Sequence, residues 1–377
     1  MWVTLSFGWG PTVAQEVPEL QITSKRYVVL NADTGEVFAQ RDAHERAPMA
    51  SLTKVFTAIM AIEQADPGLQ ITTAESDLRE QAASVMDFGP GETFPIEDLI
   101  YGMMLPSGND AAYAIARSLG AEPGDDNATA VQRFVDRANQ RLRDMGLIET
   151  NLMRPDGWGV PGHYSSAHDL AAFTMFALRY PRFERAISTR TYVTADGNYQ
   201  LVNNNRLLNS YDDLVGGKTG YDDDAGWCLI EVARRGGDTM ISVTLDGVAP
   251  EDWYDDNRVL LEYAFDQQEA RRAAGQGITG QVIGFKDPDA AMIGRAASLG
   301  ASLGAAPEPA APFDAPAGAL AIDAAPQPAP PAGADPGDRQ IAAALLVAAI
   351  VIVGGGVGAF RAHRPQPTTR ATVGPRP

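Results

Sequence analysis

The chain has 377 residues, room for one large catalytic domain or two ordinary ones. Its formal charge of -18, from 48 acidic against 30 basic residues, excludes the basic footprint of a nucleic-acid binder, so no nucleic acid is expected as a partner. A single cysteine excludes an intramolecular disulfide; Cys228 lies in the apolar run Trp227-Cys228-Leu229-Ile230 and reads as a small buried hydrophobe.

Residues 1–14 are largely apolar and end in Thr12-Val13-Ala14, passable as a cleavage site. They read as a candidate export signal, short and without a basic leader. Residues 26–30 (Arg-Tyr-Val-Val-Leu) predict a strand, Asp33-Thr34-Gly35 a turn, and Val37-Phe38-Ala39 the hairpin partner. After Pro48, apolar positions at Leu52, Val55, Phe56, Ile59 and Ile62 predict a helix over 51–63, and helical patterns recur over 96–105, 111–119 and 130–145. Ser166 with Asp169 three residues on resembles a capping box, opening a helix that runs to about Leu178. Strands over 226–233 and 239–245 flank a Gly236-Gly237 turn, and a last helix covers about 250–265. Strands at both ends with helices between predict an α+β domain over 25–267, an antiparallel sheet flanked by helical layers.

Beyond it, 297–338 is an Ala/Pro/Gly tract with too few large apolar side chains for a core. It predicts an extended tether reaching on the order of 100 Å. Residues 340–360 carry no charge and as a helix would span about 30 Å, the thickness of a bilayer core. Arg361, Arg364, Arg370 and Arg376 follow it, whereas Asp335 and Asp338 precede it with only Arg339 beside them. The expectation is a single-pass membrane protein with a C-terminal transmembrane helix, a basic cytoplasmic tail at 361–377, and its globular part on the extracytoplasmic (periplasmic) side. The four histidines (His44, His163, His168, His363) show no pair at metal-ligand spacing, so no metal and no cofactor is expected.

Three short patterns carry chemistry. In Ser51-Leu52-Thr53-Lys54, positions i and i+3 share a helix face, so hydroxyl and amine can meet. Serine becomes a useful nucleophile when a neighbour takes its proton, and lysine does this only when desolvation or a nearby cation lowers its pKa. Ser107-Gly108-Asn109 follows Pro106 in a loop between two apolar helices. Its hydroxyl and carboxamide can relay a proton and hold an amide, or Asn109 or Asp110 can simply cap the next helix. Lys218-Thr219-Gly220 precedes the strand over 226–233 and pairs a cation with a hydroxyl, a set suited to a terminal carboxylate. The bare Gly220 would let a ligand's backbone approach, and the N–H groups of Tyr221 and Ser51 could form an oxyanion hole. An ordinary turn is the alternative there. Each pattern alone is weak, but the chain has only four lysines (Lys25, Lys54, Lys218, Lys286), and two of them fall inside these motifs in order.

That ordered set follows the known signature of class A β-lactamases and penicillin-binding proteins, with Gly108 where β-lactamases usually have Asp. From about Lys25 to Phe265 the chain resembles the low-molecular-mass penicillin-binding proteins with serine-type D-alanyl-D-alanine carboxypeptidase activity, the peptidase S11 group. The resemblance runs through Pro48 to Lys54, Leu105 to Ala112, Arg154-Pro155-Asp156-Gly157, His163 to Ser166, Asn203 to Leu208 and Gly217 to Leu229. It implies a β-lactamase/transpeptidase-like fold, Ser51 as acylated nucleophile and Lys54 as its base. Ser107 and Asn109 would assist proton transfer and substrate placement. Lys218, Thr219, Gly220 and Tyr221 would bind substrate, with Lys218 and Thr219 on the terminal D-alanine carboxylate. The implied partners are peptidoglycan stem peptides ending in D-Ala-D-Ala, with β-lactam antibiotics as inhibitors and the membrane held through 340–360.

Two features depart from that pattern. The stretch between Phe265 and the Ala/Pro tract is too short for the second, β-rich domain of many relatives, and Asp222-Asp223-Asp224 brings unusual negative charge beside the third motif. A β-lactamase is disfavoured because none of Glu122, Glu149 and Glu184 has an asparagine four residues on, as the deacylating glutamate would. A DD-endopeptidase on peptidoglycan cross-links stays open, and a silent peptidoglycan-binding protein is argued against by the intact Ser51 and Lys54.

Overall fold

Strand β1 (Arg26–Asn31) is buried along nearly its whole length, and its alternation shows why. In the computed structural model, which describes residues 20–79, 83–248 and 252–287, Val28 and Leu30 face one apolar layer while Tyr27 and Val29 face another. A strand covered on both faces needs a continuous apolar run, and each large side chain it buries contributes about 1.5–3 kcal/mol.

β1 turns at Gly35 into β2 (Val37–Arg41) and also pairs with β9 (Asp238–Gly247), Arg26 opposite Leu245 and Asn31 opposite Met240. β9 is in turn the hairpin partner of β8 (Gly226–Arg235), and β8 pairs with β7 (Leu214–Asp222). The result is an antiparallel sheet of order β2-β1-β9-β8-β7, in which β7 is an edge. Helix α7 (Asp252–Ala273) covers one face through Leu260, Leu261, Ala264 and Phe265.

The helices lie on the other face. A 3-10 turn at Ala50–Leu52 leads into α1 (Thr53–Gln64), buried on every side from Thr53 to Ile62, as suits a central core helix. The ribbon of β3 (Gln70–Thr72) and β4 (Thr93–Pro95) precedes α2 (Ile96–Met104), and α3 (Asn109–Gly120) and α4 (Asn127–Asp144) follow. Then come α5 (Ala167–Ala177), α6 (Pro181–Ser188) and the ribbon of β5 (Thr191–Val193) and β6 (Gln200–Val202).

Several expectations need correction. Ser51 sits in the 3-10 turn rather than inside the α-helix proper. Ser166 caps α5 by accepting from the Asp169 N–H, but the Asp169 carboxylate turns away to Glu149 and Thr150, so the box is only half formed. Helix α7 outruns its expected end at 265. Its last turns are polar, so apolar periodicity stops, while Gln268 and Arg272 bond Asp238 at 3.3 and 2.6 Å and Arg271 reaches Glu36. Nor does the packed chain end at 267. Val37 N–H donates to Gln281 O (2.8 Å), Ile283 N–H donates to Gly35 O (2.8 Å), and Ile283 is 1% exposed. The segments expected at 1–14, 297–338, 340–360 and 361–377 lie outside the described residues; among those described, no helix is long and apolar enough to cross a membrane.

Candidate active site

The turn that carries Ser51 is held under strain. Ala50 has φ +46, a region costly for a residue with a Cβ, by about 1–3 kcal/mol. Three neighbours hold it there. His163 Nδ1 accepts the Met153 N–H (3.0 Å), so its proton sits on Nε2, which donates to Thr53 Oγ1 (2.7 Å); that hydroxyl donates to Ala50 O (2.8 Å). Burial holds His163 neutral, its pKa down at about 4. Gly157, at φ +87, lies so close to the turn that a Cβ there would sit 2.0 Å from Ala50 O.

Lys54, one turn on, is fully buried. Its Nζ lies 2.7 Å from Ser51 Oγ, 2.6 Å from Asn109 Oδ1 and 2.8 Å from Asp156 O. The last two are acceptors only, so a neutral amine spends its two N–H donors on them and keeps its lone pair for the serine hydroxyl. Burial lowers the Lys54 pKa to about 8, against the pull of Asp156 and Asp110 and with help from Arg154.

The second motif enters from the α2–α3 loop. Ser107, at φ +66, is buried and its Oγ accepts from Lys218 Nζ at 3.0 Å. Gly108 admits no side chain, since a Cβ would meet Gly102 O at 2.7 Å and Met86 N at 2.9 Å. Asn109 opens α3, and its N–H donates to Ser84 O (2.8 Å). Neither Asn109 nor Asp110 caps the helix: Gly108 is the N-cap, without a side-chain bond, and the Asp110 carboxylate inside the first turn accepts from the N–H groups of Met86, Asp87 and Ala111.

The third motif precedes β8 as expected, but it also lies on a strand of its own, the edge strand β7. Lys218 is buried, donating to Ser107 Oγ and to Thr219 O (2.8 Å), and burial plus repulsion from Lys54 drives its pKa well below the ordinary lysine value. Thr219 Oγ1 donates to Asn204 Oδ1 at 2.8 Å. Gly220 serves a different neighbour from the one expected. A Cβ there would stand 3.1 Å from Met49 O and 3.2 Å from Ser51 N, so its bareness lets β7 close on the turn that carries Ser51. Tyr221 is half exposed at the rim.

All three motifs thus meet. Ser51, Ser107, Asn109, Thr219, Gly220 and Tyr221 line one cleft of about 470 Å³, with both lysines directly beneath. The cleft also presents Ser84, Trp158, Asn204, Arg206, Trp227 and Tyr254, which motif reading did not single out as site residues. Asp156 was likewise missed, although Arg154 to Gly157 and Asn203 to Leu208 were visible as segments of the resemblance; Tyr254 left no signal. Asp222 and Asp223 line the same cleft, so the acidic run does not point away as a whole, although Asp222 Oδ1 also accepts the N–H of Asp224 and Ala225.

A serine hydroxyl bonded to a buried, desolvated lysine, under an edge strand that can receive a peptide, defines a serine acyl-transfer enzyme. Residues 12–249 match the family of D-alanyl-D-alanine carboxypeptidases, peptidase S11. The chain belongs to that family. It is 31% identical over 258 residues to D-alanyl-D-alanine carboxypeptidase DacF of Bacillus subtilis, covering 67% of this chain and 64% of that one, so it spans just under two thirds of that relative. To the D-alanyl-D-alanine carboxypeptidase of a Streptomyces species (strain K15) it is 30% identical, covering 68% of this chain and 92% of the relative. The crystal structure of the Streptomyces K15 DD-transpeptidase superposes with a TM-score of 0.63 at 29% identity, over 66% of this chain and all of the other.

Proposed function

We propose that this protein is a penicillin-sensitive D-Ala-D-Ala carboxypeptidase acting through an acyl-enzyme on Ser51. The observation that carries the reading is the 2.7 Å contact between Ser51 Oγ and the Nζ of a fully buried Lys54 whose pKa is lowered to about 8. A peptide ending in D-Ala-D-Ala lies along β7 as an added strand, its carboxylate at Lys218 and Thr219 with Arg206 on the cleft wall. Lys54 takes the Ser51 proton, and Oγ attacks the penultimate D-Ala carbonyl while the N–H groups of Ser51 and Tyr221 receive the oxyanion. Ser107, bonded to Lys218, passes a proton to the leaving nitrogen, D-alanine departs, and water hydrolyses the ester.

The carboxylate also sets protonation. Lys218 has no carboxylate as hydrogen-bond partner, and its neighbours are Ser107 Oγ and Thr219 O. An arriving substrate carboxylate raises its pKa and restores its charge. That charge, beside Lys54, then favours the neutral amine that catalysis needs. A β-lactam enters the same path and stalls as a slow ester. Intact-mass and peptide mapping after benzylpenicillin treatment test this: one adduct on the Ser51 peptide is expected, and an adduct elsewhere or none removes the proposal. Anchoring through 340–360, with the catalytic domain on the outer side of the membrane, is part of the same reading and rests on the charge asymmetry of the sequence.

A further inference from the structure

No two histidines stand at metal-ligand spacing in the sequence, yet folding stacks two distant ones. His44, after β2, and His168, in the first turn of α5, have ring centroids 4.3 Å apart with 29° between planes. Glu149, from the loop after α4, closes the group. His44 Nδ1 lies 3.0 Å from its Oε1, and His168 Nδ1 lies 3.9 Å from its Oε2. One ligand atom from each side chain falls within 4.8 Å of the other two.

The surroundings hold these side chains in place. Asp169, 1% exposed, holds His168 Nδ1 at 3.1 Å through Oδ1, and its Oδ2 accepts the Glu149 N–H (2.8 Å) and Thr150 Oγ1 (2.9 Å). Ser166 Oγ donates to Glu149 Oε2 at 2.7 Å, and the His168 N–H donates to Ala43 O at 2.9 Å, beside His44. His168 Nδ1 thus faces two carboxylates, Asp169 Oδ1 at 3.1 Å and Glu149 Oε2 at 3.9 Å. We propose that His44, Glu149 and His168 form a site for a divalent transition metal of the zinc class, separate from the Ser51 chemistry. Two imidazoles and a carboxylate suit zinc and its neighbours, and the imidazoles argue against calcium or magnesium. Ligand atoms must draw in to about 3.4 Å apart around a tetrahedral ion. The His44 side chain, 50% exposed, is the one able to swing inward. An ion there would tie the segment leading into the Ser51 turn to α5 and to the loop after α4.

Calorimetric titration of the full chain with Zn²⁺ alone, above the imidazole pKa, tests the site. The expected result is one saturable site, weakened about tenfold or more by His44→Ala and by Glu149→Gln. Zn²⁺ should also raise the melting temperature of the wild type and not of either variant, while benzylpenicillin acylation stays unchanged in both. The half-exposed His44 makes the first variant safe for folding. No binding, or binding that survives both substitutions, overturns the proposal.

Discussion

Lys54 and Lys218 are the two charges on which the proposed chemistry turns, and the difference between them is a matter of neighbours. Both are buried, but Lys54 keeps Asp156 and Asp110 in its field. The base form of Lys54 grows as pH rises toward its pKa of about 8, so kcat/KM on a neutral-amide substrate should climb about tenfold per pH unit below that value and level off above it. A profile flat between pH values of about 6 and 8 would rule out Lys54 as the base.

Glu231 works in the opposite sense. It is a wholly buried residue of β8, bonded only through Oε2 to Asn205 at 2.9 Å, with Oε1 unpartnered, and burial pushes its pKa up to about 8. Between the ordinary carboxylate value and about 8 the folded chain holds a proton that the unfolded chain has lost. Stability should therefore fall by up to about 1.4 kcal/mol per pH unit across that window, and the loss is complete above it. Urea melts of Glu231→Gln at several pH values should show that slope removed. An unchanged slope would place the titration elsewhere.

At the scale of elements, the first two motifs were legible because each occupies a boundary that sequence marks. Pro48 announces the turn before α1, and Pro106 with Gly108 announces the loop before α3. The third was read for its residue types but misplaced. Gly216, Gly217 and Gly220 weaken the strand signal of β7, so the strand was lost and the motif left in front of its neighbour. That error hid the reason for Gly220, which is an approach within the protein. Gly220→Ala should push the Ser51 turn away by a few tenths of an ångström and lower kcat/KM roughly tenfold to a hundredfold, with little change in melting temperature. Unchanged kcat/KM would mean that the spacing of β7 and the turn does not set the oxyanion geometry.

Over the whole molecule, the sheet joining the first and last strands of the described domain, the helical layer and the final helix follow from periodicity, and the composition of 340–360 motivates the membrane proposal. The lining of the cleft does not follow, because Trp158, Arg206 and Tyr254 come from segments whose convergence only folding decides. The same holds for the His44–His168 stack. Cys228 was simpler: an apolar run on a central strand, fully buried, its thiol pushed up to about 12. These separated segments define a single cleft, and the claim about that cleft is D-alanine release. The most direct measurement is free D-alanine liberated from diacetyl-L-Lys-D-Ala-D-Ala by the wild type and by Ser51→Ala. Release by the wild type and none by the variant is the predicted result. A folded, penicillin-acylated wild type that liberates no D-alanine would contradict the account and point to cross-link cleavage instead.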